Sequence, residues 1–83
     1  MNLEIIQMRS IGNEADGVVE AMVDLLSEND EVRIYRRIDM PGDISIHISL
    51  TGSDGNRPSV TGERIASELS SYGIVQYSLW KEN

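Results

Sequence analysis

The chain has 83 residues, a formal net charge of −7, a single histidine and no cysteine. That length supports one domain over residues 1–83, which alone buries only about 60% of the surface its unfolded chain exposes. Disulfides, a thiolate zinc site and a histidine cluster are excluded, and the acidic balance opposes nucleic acid, whose binding rests on basic contacts to phosphate.

The first strand is expected over residues 2–11. Leu3, Ile5, Ile6, Met8 and Ile11 are dense enough there to cover both faces, as in a central strand. Glu4 interrupts the apolar run and no basic n-region precedes it, so this segment is not read as a signal peptide. No window approaches the ~20 apolar residues of a membrane span, and the cytoplasm is the expected location. A helix follows from Ala15, with Val18, Val19, Met22, Val23, Leu25 and Leu26 on one stripe. Asn13 is placed to cap it and Asn29-Asp30 to end it. Gly17 weakens it by about 1 kcal/mol relative to alanine. Asp16, Glu20, Asp24 and Glu28 recur on the opposite side; like charges at this spacing repel, so they read as a solvated face and not as a metal site.

The segment EVRIYRRIDMPGDISIHISL, residues 31–50, reads as two strands around a Met40-Pro41-Gly42-Asp43 turn. Strand side chains alternate between faces. Val32, Ile34, Ile38, Ile44, Ile46, Ile48 and Leu50 therefore share an apolar face, and Arg33, Tyr35, Arg37, Ser45, His47 and Ser49 share the other. Arg36 falls on the apolar side and is expected either to reach out past a helix end or to be turned away by a local bulge. Residues 51–58 are a polar, turn-rich loop. A second helix is expected over residues 59–72, packing through Ile65, Ala66, Leu69 and Tyr72, with Gly73 as a left-handed stop. The last strand, residues 74–81, sets Val75, Tyr77 and Leu79 against Gln76, Ser78 and Trp80.

The order is βαββαβ, the α+β, ferredoxin-like arrangement: a four-stranded antiparallel sheet with two helices on one face. The other face is left open and collects Arg33, Tyr35, Arg37, Ser45, His47, Ser49, Gln76, Ser78 and Trp80, joined by Gln7 and Arg9. A small domain with one bare sheet face is expected to form a homodimer through it.

This order, the short length, the hairpin RIYRRIDMPGDISIHI and the terminal Tyr77-Ser78-Leu79-Trp80 strand resemble the antibiotic biosynthesis monooxygenase-like group of dimeric α+β barrels. Where that group carries a Trp-rich and Glu-rich segment after the third strand, this chain has TGSDGNRPSV. The resemblance implies that two sheets meet through their open faces and enclose a cavity.

Several side chains on the strands are candidates for chemistry, each with a plainer role beside it. His47 has an ordinary pKa near neutrality; it is either a general base toward an acidic phenol or enol, or a structural hydrogen-bond partner of Ser78 or Tyr35. Arg33 and Arg37 either hold an anion or pair with carboxylates such as Glu4 or Asp43. Tyr35, Tyr77 and Trp80 are pocket walls or dimer contacts. The leading expectation is a cavity for a small aromatic or anionic ligand, with cofactor-free oxygenase or isomerase chemistry. His47 would be the base, and Arg33, Arg37, Tyr35, Ser78 and Trp80 would position the ligand; no metal takes part. The alternatives are a regulatory module of the amino-acid-sensing kind, with its ligand at residues 10–14, and an interaction protein with no ligand.

Overall fold

The computed structural model describes residues 2–10, 15–27, 31–50 and 59–82. The elements run β1 (Asn2–Ser10), α1 (Ala15–Ser27), β2 (Val32–Arg36), β3 (Asp43–Leu50), α2 (Val60–Leu69) and β4 (Gly73–Lys81). The strands form one antiparallel sheet in the order β2-β3-β1-β4. β1 is thus central, as its two-sided apolar character implies. The expected cap at Asn13, stop at Asn29-Asp30 and loop 51–58 lie outside the described residues.

One sheet face and both helices bury a common core. Ile6 and Met8 of β1, Val32 of β2, and Ile44, Ile46 and Ile48 of β3 meet Val18 and Met22 of α1 and Ile65 and Leu69 of α2. Each such side chain contributes about 1.5–3 kcal/mol on full burial. Ala66 and Tyr72 pack against this cluster from the side. The stripe read from period 3.6, through Val18, Val19 and Met22, and the face read from period 2 therefore meet as expected, whereas the side chains of Val23, Leu25 and Leu26 lie outside those described.

Three local expectations are corrected. Ile38 does not belong to the apolar face: it is 97% exposed. β2 ends at Arg36 and Ile38 lies in the connection to β3, where strand alternation no longer applies. That connection closes through Arg37 N–H donating to the Asp43 carbonyl at 3.0 Å and Asp43 N–H donating to the Met40 carbonyl at 2.9 Å. Gly73 is not a left-handed stop. α2 ends earlier, its last carbonyls taken up by the N–H groups of Ser70, Ser71 and Tyr72. Gly73 opens β4, where a Cβ would run into the Arg9 carbonyl oxygen of β1, so close backbone approach demands glycine there. Finally, Glu4 is not available to any arginine, because it lies fully buried beneath α2.

Arg36 behaves as expected of a cation on an apolar side. It leaves the sheet at the start of α1 and donates from Nη2 to Asp16 Oδ1 at 2.6 Å. The turn end of the hairpin is tied to β1 by Ser10, whose N–H and Oγ–H both donate to the Gly42 carbonyl at 3.0 Å.

Candidate functional site

Register assembles the open face in rows across the strands. One row reads Tyr35, Ser45, Gln7, Gln76; the next reads Arg33, His47, Ile5, Ser78. Toward the hairpin turn Asp43, Arg9 and Ile74 align, and at the opposite end Leu3 stands beside Trp80. Strands lie about 4.8 Å apart, so each row is a continuous strip of side chains. The sorting of polar and apolar residues between faces is the one read from alternation.

A concavity of about 480 Å³ opens on this face at the hairpin end. Tyr35, Ser45, Gln7 and Gln76 form its floor, Arg9 and Asp43 stand beside them, and Arg37, Arg36 and Ile74 edge it. Of the residues singled out from sequence, Tyr35 and Arg37 therefore line the hollow. His47, Arg33, Ser78 and Trp80 do not; they continue the same face farther along the strands.

His47 is coupled to the hollow through two neighbours. Its Nε2 is 2.9 Å from Ser45 Oγ, and its ring lies 4.6 Å from that of Tyr35 at 49°. The expected contact with Tyr35 is thus a ring contact, and the hydrogen bond goes to Ser45 in place of Ser78. Burial pushes the imidazole below its ordinary value of 6.5, which keeps it neutral and able to accept a proton at pH 7.

Arg37 is ion-paired: Nε and Nη2 donate to the two oxygens of Asp39 at 2.7 and 3.1 Å, and Nη1 reaches Asp43 at 3.4 Å. The Arg37 guanidinium holds the Asp39 carboxyl below its usual range, and Arg9, followed by Arg37, does the same for Asp43. Pairing with Asp43 was the plainer of the two roles weighed for Arg37. Arg33 is exposed and has no carboxylate partner among the described residues. Ser78 Oγ accepts from the Trp80 indole N–H at 2.8 Å, which fixes an otherwise exposed ring. Trp80 is 57% exposed, Tyr35 52% and Ile74 70%.

Sequence reasoning placed Gln7 and Arg9 on this face but did not single out Arg9, Asp43 or Ile74. The available signal was parity: Arg9 is two residues beyond Gln7, and Asp43 is four before His47.

A second polar cluster lies on the helix side. Glu4 Oε2 accepts from the Ser59 N–H at 3.0 Å and from the Tyr77 hydroxyl at 2.5 Å, and Oε1 accepts from Ser59 Oγ–H at 2.5 Å. Ser59 in turn caps α2 by accepting from Gly62 N–H at 2.9 Å. Burial, reinforced by Glu4, pushes the Tyr77 phenol far above its ordinary 10.0, so it remains a donor. Every buried side-chain polar atom among the described residues has a partner. This cluster fastens α2 to the sheet.

No family model matches the sequence, and no curated protein does. Solved structures that share its fold over nearly the whole length include an antibiotic biosynthesis monooxygenase, with a TM-score of 0.72 at 12% identity, covering 100% of this chain and 99% of that one. An antibiotic biosynthesis monooxygenase-type protein from Bordetella bronchiseptica aligns with a TM-score of 0.64 at 13% identity, over 99% and 96% of the two chains. An uncharacterized NIPSNAP domain protein from Burkholderia xenovorans aligns with a TM-score of 0.63 at 6% identity, over 100% and 95%. The chain thus has the ferredoxin-like fold of antibiotic biosynthesis monooxygenase-like proteins. At these identities the likeness is one of fold.

Proposed function

We propose that the open sheet face is one wall of a ligand cavity, completed by a second copy of the chain, for a small aromatic or anionic molecule. The observation that carries this reading is the concavity opposite the helices. Its floor offers the hydroxyls of Tyr35 and Ser45 and the carboxamides of Gln7 and Gln76. On the same face, Tyr35, Ile74 and Trp80 expose apolar surface. Burying that surface against a like face contributes about 25 cal/mol per Å², while the polar floor is left facing a hollow. Tyr35 and Arg37 hold the ligand in the hollow, and Arg33, Ser78 and Trp80 extend the wall beyond it.

The chemistry proposed is cofactor-independent oxygenation; two of the fold neighbours carry the name antibiotic biosynthesis monooxygenase. Neutral His47, outside the hollow but hydrogen-bonded to Ser45 of its floor, takes up the Ser45 hydroxyl proton as Ser45 takes that of an acidic phenol or enol, leaving the electron-rich anion that reacts with oxygen. Sedimentation of the pure protein tests the assembly, for which a dimer is expected and a monomer counts against the closed cavity. Oxygen uptake with a panel of hydroquinones, wild type against His47→Ala, tests the chemistry. Loss of uptake in the variant is expected. Equal rates, or none from either protein, remove His47 from the role of base.

A further inference from the structure

Three arginines, Arg9, Arg36 and Arg37, line the concavity against a single carboxylate, Asp43, in a chain whose net charge is −7. Their ion pairs differ in quality. Arg36 meets Asp16 at 2.6 Å, and Arg37 grips Asp39 at two points, 2.7 Å through Nε and 3.1 Å through Nη2; the shorter contact of each is a full charge-assisted hydrogen bond. The pairs made inside the concavity are looser. Arg9 reaches Asp43 at 3.1 Å through Nε and 3.4 Å through Nη2, and Arg37 Nη1 reaches it at 3.4 Å. Well-formed contacts between these groups run to about 2.7–2.9 Å. Arg9 keeps Nη1 off Asp43 altogether, and its side chain is 61% exposed against 19% for Asp43. All three nitrogens of Arg37 contact a carboxylate; Arg9 is the donor left incompletely used, and its acceptor Asp43 is the one acidic group in the lining.

We propose that the concavity selects a small monocarboxylate, anchored by Arg9, with Asp43 as the internal counter-ion that competes for the same donors. This rests on the reading of the open face as a ligand site and adds the charge and chemical class of the ligand. A planar carboxylate matches the guanidinium fork, and Gln7 and Gln76 lie within the same hollow for its remaining polar groups. A dianion meets the Asp43 repulsion twice over, and a neutral ligand leaves the arginine donors unmet. The competition fixes a sign: removing the Asp43 charge tightens anion binding, whereas a purely structural Asp43 would not have that effect.

The test is an NMR titration of the full chain with benzoate and with its neutral isostere benzamide, for wild type, Asp43→Asn, Arg9→Gln and Arg9→Lys. The dispersed signals of core residues Ile46 and Ile65 report that each variant is folded. Benzoate is expected to shift Tyr35, Gln7 and Gln76 and to bind at least about tenfold tighter than benzamide. Asp43→Asn should tighten benzoate by at least about threefold without changing benzamide. Arg9→Gln should bring benzoate to the benzamide level, and Arg9→Lys should recover part of the loss. Added salt should weaken benzoate alone, a readout on the wild type that requires no variant. Equal binding of benzoate and benzamide overturns the charge assignment while the cavity reading stands. Weaker benzoate binding by Asp43→Asn, with the fold intact, overturns the counter-ion role. No shift on the open face from either ligand overturns both readings.

Discussion

The substitution Gly62→Ala exposes the Glu4 cluster most sharply, because helix propensity and packing predict opposite signs. In an exposed helix interior, glycine to alanine stabilises by about 1 kcal/mol. Gly17, in α1, has nothing within 4 Å of where a Cβ would stand, so Gly17→Ala should approach that gain. At Gly62 a Cβ would run directly into the Glu4 carboxylate. Glu4 is fully buried and holds Ser59 and Tyr77, so it has no solvent side to retreat to. Overpacking a filled site costs about 1–3 kcal/mol, and disturbing the buried hydrogen bonds adds to it. Set against the propensity gain, Gly62→Ala should lose about 1–3 kcal/mol. For a domain of this size each kcal/mol shifts the melting temperature by about 4–8 °C. Thermal and urea unfolding of the two variants beside wild type give the answer. Gly17→Ala should melt above wild type and Gly62→Ala well below. A Gly62→Ala protein as stable as Gly17→Ala would show that Glu4 is not packed against the start of α2.

Tyr77→Phe removes one donor from Glu4 while Ser59 keeps both of its own, so urea unfolding should show a loss of about 1.5 kcal/mol; an unchanged midpoint would place the phenol elsewhere. In the wild type, ultraviolet titration should find a tyrosine that stays un-ionised as pH rises well past 10.0, and Tyr77→Phe should abolish that late step. His47 sets a pH dependence of stability. Its folded pKa is depressed below 6.5 by burial, so the unfolded chain takes up the proton first as pH falls. The contribution is fully present above 6.5 and is lost as pH drops through 6.5 toward the folded value. His47→Gln should flatten the urea-midpoint profile in that window. Asp39 and Asp43, depressed below 3.8 by their arginine partners, act separately, losing their contribution only as pH falls below that value. A profile identical in His47→Gln and wild type would place the imidazole in open solvent.

The alternation of the hairpin made the face bearing His47, Tyr35 and Arg33 legible, because a strand buried on one side must keep its parity. The same rule failed at Ile38, where pairing stops at Arg36 and the connection takes over; composition does not mark that boundary. Gly73 was recognisable as a necessary glycine but for the wrong reason, since the oxygen it avoids belongs to Arg9, far away in sequence. Glu4 was visible only as an interruption in an apolar strand. Its partners Ser59 and Tyr77 lie 55 and 73 residues on, and no local pattern links them. The hollow itself depends on how the sheet and hairpin curve in three dimensions. Parity could therefore place Tyr35 on the right face without showing that it lines a concavity while His47 stands beside it; Arg37, past the end of β2, is positioned by the connection to β3.

The most direct examination of the open face uses a soluble paramagnetic agent and the NMR signals of the protein in solution. Tyr35, His47 and Trp80 should be shielded almost as well as Ile46 in the core, while Glu20 on α1 is bleached, because a second copy covers the sheet. If Trp80 and Tyr35 are bleached as strongly as Glu20, the face meets water alone and no closed cavity forms between copies of the chain.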